Sequence, residues 1–178
     1  MPFANAKPVL IGLGANLPSH HGAPMASLVA ALRLIQDGPV RILARSPWYE
    51  SEPIPASDQS WYINAVIAGT TLESPDNLLK ELHKIEQEFG RERGVVNAAR
   101  PLDLDLLAYG DAVTAPAGHG IAVLPHPRLS ERAFVLRPLA DIAPHWRHPT
   151  LKAAAEELLA RLPAGPGLRL ARGSDAAQ

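Results

Sequence analysis

The segment Arg100-Pro101-Leu102-Asp103-Leu104-Asp105-Leu106-Leu107 places two acids two residues apart inside an apolar run. In an extended chain, alternation puts Leu102, Leu104 and Leu106 on one side and both aspartates on the other. Aspartate is depleted in strands, and like charges on one face repel, so this pair calls for a compensating partner. A hard divalent cation such as Mg²⁺ supplies one. It takes carboxylate oxygens and fills its other positions with water and phosphate oxygens. A calcium loop is excluded, because Leu107 occupies the next ligand position and the required glycine is missing. The plain alternative is an exposed sheet face with two solvated acids. Arg100, three residues before Asp103, favours a site where metal and phosphate meet.

Other polar residues gather around this motif in the sequence. Glu86, Gly90, Arg91, Glu92 and Arg93 form a helix end that leads into a short loop, 94–99. Arginine forks match phosphate oxygens in a bidentate way and keep their charge. Cations at a helix C-terminus are also ordinary capping, which suffices for Arg91 and Arg93 taken alone. His126 sits between Pro125 and Pro127 and is followed by Arg128, Arg132 and Phe134. Asn64, two residues after Tyr62 in a strand-like run, could hydrogen-bond a flat heterocycle or serve a turn. His20, His21, His83, His119, His145 and His148 show no metal-ligand spacing. Gly12-Leu13-Gly14 lacks the rest of a dinucleotide fingerprint.

The elements that must position these residues follow from periodicity. Val9, Ile11 and Leu13 alternate and then meet Gly14 and Asn16, a strand running into a turn. Met25, Leu28, Val29, Leu32 and Ile35 have helical spacing, between Pro24 and Gly38. Residues 40–49 and 62–71 read as strands. Ser74, Pro75, the stripe Leu78, Leu82, Ile85 and Phe89, and then Gly90 give the clearest helix, with cap, start, face and stop. Residues 102–109 read as a strand. An irregular stretch then leads to a helix starting at Thr150 and carrying Leu151, Leu158 and Leu162. The order predicts an α+β fold: a ferredoxin-like βαββαβ core, with helices on one face of an antiparallel sheet, plus a C-terminal extension. Residues 1–178 are expected to form a single domain, with 1–7 and the Ala/Gly/Pro-rich 163–178 as frayed tails.

Bulk properties narrow the function classes. The 178 residues suit one core, and 47% hydrophobic with 20% charged residues argues against general disorder. No apolar run reaches membrane-spanning length, and the N-terminus lacks a secretory signal pattern, so a cytoplasmic protein is expected. The sequence has no cysteine, which excludes thiolate metal sites and cysteine nucleophiles. A net charge of -1 gives no sign of a nucleic-acid partner. A ferredoxin-like RNA-binding module would also need sheet aromatics, and aromatics are 5% of the chain. No obligate protein partner is evident.

Taken together, these motifs resemble the 6-hydroxymethyl-7,8-dihydropterin pyrophosphokinase family, over Val9 to about Leu162. The resemblance rests on Arg100 with the Leu102–Leu107 run, on Pro125-His126 followed by Arg132 and Phe134, on Tyr62-x-Asn64, and on the Glu86-to-Arg91 interval. It implies transfer of diphosphate from ATP to the hydroxymethyl group of the pterin, with release of AMP. It assigns two Mg²⁺ ions to Asp103 and Asp105, and a catalytic role to those two with Arg91 and Arg100. Glu86, Arg91, Arg93, Arg100, His126 and Arg132 would bind ATP. Pro53, Ile54, Tyr62, Asn64 and Phe134 would bind the pterin. The family's usual tryptophan before the motif arginine is Asn97 here, and Val96 replaces a basic residue. The alternative this leaves is a non-catalytic nucleotide-binding relative. The 91–100 segment is expected to act as a lid that orders over ATP and Mg²⁺.

Overall fold

A computed structural model describes residues 5–91, 99–115, 121–163, 165 and 167–172. Arg93 and the 94–98 part of the expected lid lie outside the described residues, as do residues 1–4 of the expected N-terminal tail. Strands β1 (Lys7–Ala15), β4 (Tyr62–Thr71) and β5 (Asp103–Tyr109) are neighbours in an antiparallel sheet, with β1 between the other two and β5 at the end of the strand order. Strands β2 (Arg41–Arg45) and β3 (Tyr49–Ser51) both pair with β4, at opposite ends of it. They are the one strand expected over 40–49, interrupted at Ser46-Pro47. The interruption has a local cause. Pro47 has no N–H to give a ladder, and the Ser46 hydroxyl takes the Val66 N–H at 3.0 Å. This strand order is compatible with the split βαβ arrangement.

Helices α1 (Pro24–Asp37) and α2 (Pro75–Glu88) cover one face. The Ser74 side chain caps α2 by accepting from the Asn77 N–H, at 3.3 Å. Leu28, Ala31 and Ile35 of α1 and Leu78, Leu82 and Ile85 of α2 pack on Ile11, Leu13, Ile67, Leu104 and Leu106. That half of the core follows the sequence pattern.

The other face departs from it. Helices α3 (Ala133–Ile142) and α4 (Ala155–Ala160) pack against Leu10, Val66, Leu107 and Ala108, so both faces of the sheet carry helices. Helix α3 contains Pro138, which reads in sequence as a helix breaker, and its apolar surface holds it against the sheet instead. The final helix starts at Ala155 rather than Thr150. The Thr150 and Leu151 N–H groups bond to His148 Nδ1, and Lys152 takes a positive φ of 56°. Glu157 Oε2 then accepts from the Ala154 N–H, at 3.0 Å. These helices cover Leu10, Val66, Leu107 and Ala108, sheet surface that an RNA-binding module would use as its platform.

The tails also differ from expectation. Lys7 already belongs to β1, and Leu168–Leu170 form a sixth strand, β6, paired antiparallel with β3. No helix among the described residues is long and apolar enough to cross a membrane.

Candidate active site

Register brings the polar residues together. Gly14 of β1 lies between Asn64 of β4 and Asp103 of β5, and Gly12 lies between Val66 and Asp105. Asn64, Gly14, Asp103 and Asp105 thus share the α3 side of the sheet, as the two-residue period requires. The two glycines leave the middle strand without side chains there. A Cβ at Gly14 would stand 3.2 Å from Asn64 Oδ1. Gly14 makes a floor for the cavity above it, whereas Gly12 lies under the Leu107 side chain, which comes within 3.5 Å of where a Cβ would stand.

One cavity opens over Gly14, and a second lies beside β5, between α2 and the 122–127 segment. The larger, about 590 Å³, is lined by Gly14, Tyr62, Asn64, Phe134, Pro53 and Ile54, with Arg100, Asp103 and Arg132 on one side. The smaller, about 250 Å³, is lined by Glu86, Arg91, Asp105 and His126, among others. The five residues expected around a pterin therefore line one cavity together. Three of those expected around ATP, Glu86, Arg91 and His126, line the other, while Arg100 and Arg132 face the larger one. Asp103 borders the larger cavity and Asp105 the smaller.

Each aspartate is held by cations. Asp103 accepts from Arg91 Nη1 at 2.6 Å and from Arg100 Nη1 at 2.8 Å. Asp105 accepts from Arg132 Nη1 at 2.9 Å, with His126 Nε2 at 3.8 Å. The like-charge repulsion expected between them is offset by these arginines. Burial pushes the His126 imidazole below its ordinary range, against the pull of Asp105. Its Nδ1 accepts from the Arg128 N–H, so the ring proton is assigned to Nε2, facing Asp105.

Glu86 is the buried member of the group, 1% exposed. Its Oε1 accepts from the Leu104 N–H at 2.7 Å and pairs with Arg91 Nη1. Burial outweighs the Arg91 charge and raises the carboxyl from 4.5 to about 7. Glu86 anchors Arg91 and the β5 backbone rather than standing open in the cavity. Burial likewise raises the Tyr62 phenol. Asn64 is buried and donates to Ser51 Oγ at 2.9 Å.

Several residues of the site carry no decisive sequence signal. Asn16, 3% exposed, accepts the Arg100 N–H at 2.8 Å and donates to Gln59 Oε1 and the Ser60 carbonyl at 3.2 and 3.1 Å. It thereby ties Arg100 to the rim of the larger cavity. Its partners are more than 40 residues away, beyond the reach of local pattern. Arg128 and Glu131 line the larger cavity and His83 the smaller one. In the sequence, Arg128 stands out only as a neighbour of His126.

The donor set suits Mg²⁺. Two hard carboxylates share one strand face, and no group of three or more His, Asp, Glu or Cys side chains stands ready for a metal among the described residues. A Mg²⁺ ion held by these carboxylates would take its other ligands from water and phosphate oxygens.

A family model described as 7,8-dihydro-6-hydroxymethylpterin-pyrophosphokinase (HPPK) matches residues 10–144. The 2-amino-4-hydroxy-6-hydroxymethyldihydropteridine pyrophosphokinase of Pseudomonas aeruginosa is 39% identical over 152 residues, covering 85% of this chain and 90% of that protein. The folate synthesis bifunctional protein of Arabidopsis thaliana is 42% identical over 139 residues, or 75% of this chain. The match takes in 26% of that relative, so the chain spans about a quarter of its length. A crystal structure of a Plasmodium falciparum HPPK-DHPS triple mutant aligns with a TM-score of 0.68 at 14% identity, covering 87% of this chain and 43% of that one. The last is a likeness of fold.

Proposed function

The chain belongs to the 7,8-dihydro-6-hydroxymethylpterin-pyrophosphokinase family, and from that premise we propose that it transfers diphosphate from ATP to the hydroxymethyl group of 6-hydroxymethyl-7,8-dihydropterin. The carrying observation is that Asp103 lines the larger of two cavities and Asp105 the smaller, with Arg91 and Arg132 each paired to the aspartate of the other cavity. The larger takes the pterin and the smaller takes ATP. The acceptor hydroxyl gives its proton up to solvent and its oxygen bonds to the β-phosphorus of ATP, the bond from that phosphorus to the α–β bridging oxygen breaks, and AMP leaves with the bridging oxygen.

Such a transfer needs positioning and charge neutralisation more than a covalent nucleophile. In the larger cavity, Tyr62 and Phe134 offer aromatic surface and Asn64 a fixed amide for the pterin edge. Pro53 and Ile54 close the opposite wall. Arg91 and His126 face the nucleotide, with Glu86 holding Arg91 in place. Arg100 and Arg132 stand on the acceptor side and take the phosphates as they cross; Arg93 belongs to the same phosphate-binding set by its place in the motif. Two Mg²⁺ ions at Asp103 and Asp105, when bound, supply positive charge to the attacking and leaving oxygens. Phosphate oxygens then replace the aspartates as partners of Arg91, Arg100 and Arg132.

Titration calorimetry with a non-hydrolysable ATP analogue and the pterin, with and without Mg²⁺, tests this reading together with an assay for AMP. We expect Mg²⁺-dependent binding of the analogue, binding of the pterin, and AMP formed only when acceptor and Mg²⁺ are both present. Binding of ATP without any AMP would instead identify a non-catalytic relative.

A further inference from the structure

The larger cavity owes one wall to the loop 52–61, which contributes Glu52, Pro53, Ile54, Pro55, Ser57 and Gln59. This loop contains no helix or strand. Its two ends are gripped by one short element. The Glu52 N–H donates to the Gly167 carbonyl at 3.1 Å, and the Gly167 N–H donates to Glu52 Oε2 at 3.0 Å. At the far end, the Arg169 guanidinium lies 4.3 Å from the Trp61 ring centroid, while Arg169 Nε donates to Glu50 Oε2 at 2.7 Å. Gly167 fits there because it has no side chain. A Cβ would stand 2.9 Å from Trp61 Cη2 and 3.2 Å from Glu52 Oε1. The Ala171 N–H continues the attachment by donating to the Trp48 carbonyl at 2.9 Å.

We infer that the C-terminal strand β6 is a positioning element for the acceptor cavity, holding the 52–61 wall in place through Gly167 and Arg169. This rests on the reading of the larger cavity as the pterin pocket. Strand β6 lies beyond residues 10–144, the region the family model matches. Among the described residues, the partners of the 167–171 stretch are Trp48, Glu50, Glu52, Trp61 and the β3 backbone, none of which lines the smaller cavity. Holding the wall before the ligand arrives removes an ordering cost from binding. Releasing β6 therefore weakens pterin binding and spares ATP.

The test uses the full chain with Gly167→Val, Arg169→Ala and Arg169→Lys. Binding of the pterin and of a non-hydrolysable ATP analogue is measured by calorimetry with Mg²⁺, and hydrogen exchange is followed over 52–61. We expect Gly167→Val to weaken pterin binding about tenfold and Arg169→Ala about threefold, with the analogue unchanged within about twofold. Exchange over 52–61 should be faster in both variants. Arg169→Lys, which keeps a cation over Trp61, should restore most of the loss. Should Gly167→Val fail to fold, Arg169→Ala decides, since that side chain is 65% exposed. Unchanged pterin binding, or equal weakening of both ligands, overturns the inference. An unaltered chain that fails to bind pterin overturns the pocket reading instead; exchange over 52–61 then decides on β6, and unchanged exchange rejects the tether.

Discussion

On the α3 side of the sheet, Leu10, Val66 and Leu107 lie buried under α3 and α4, while further along the same three strands Gly14, Asn64 and Asp105 line the candidate site. Both regions use the same ladder and the same alternation. They differ in what covers them: helices at one end, cavities at the other. The apolar end can bury its side chains completely, so it carries stability. The polar end pairs its acids with arginines, the contacts that the proposed phosphate exchange would use. Position along a strand, rather than membership of a different element, separates the two tasks.

The sharpest way to break this comparison is to substitute neighbours of like orientation on β5. Asp105→Ala should lower kcat/KM on the order of a thousandfold. Stability should change by about 1 kcal/mol or less, because its pair with Arg132 keeps contact with solvent. A melt strongly shifted by Asp105→Ala, or turnover near that of the unaltered enzyme, would contradict the division. Leu107→Ala, two residues on, should do the reverse. It removes a fully buried side chain and should cost about 2–5 kcal/mol in chemical denaturation. Both KM values should hold at temperatures where the variant is folded.

A third test asks whether the site end costs stability. The folded state holds the Glu86 proton up to about pH 7, above the ordinary 4.5. Between those values the folded protein binds more protons than the unfolded one, so stability falls as pH rises through this window. The cost is absent below about 4.5 and complete above about 7, on the order of 3 kcal/mol. Melts of Glu86→Gln should lack this slope, and parallel pH profiles for the two proteins would reject the account. The smallest effect is expected at Asn64→Ala. Losing its hydrogen bonds should weaken pterin binding by about 1–3 kcal/mol and leave ATP-analogue binding unchanged. Equal losses for both ligands would mean that the two cavities are not separate sites.

Much of the core was legible because its patterns are local. The β4 span of 62–71 agrees with the expected strand, and Ser74, Pro75 and the leucine stripe of α2 placed its start and face. The two aspartates were legible because acids at that spacing are costly without a partner. The second helical layer was not, since Pro138 masks α3 and its burying surface is made by residues far away in sequence. Asn16 bonds to residues 43, 44 and 84 positions away, and no window of periodicity contains that information. The C-terminal strand hid behind an Ala/Gly/Pro composition that resembles a tail. Its glycine turns out to be a matter of close approach.

The floor at Gly14 has a consequence for inhibitors. A flat molecule lying there rests on peptide atoms, which are the same whichever codon occupies the position. Mutation can add atoms at Gly14 but cannot exchange the ones a drug would touch. Any addition begins with a Cβ 3.2 Å from the Asn64 oxygen, so a variant that expels the drug also disturbs the amide proposed to read the natural acceptor. Compounds that take most of their affinity from this floor should select resistance elsewhere, in the 52–61 wall or at Phe134.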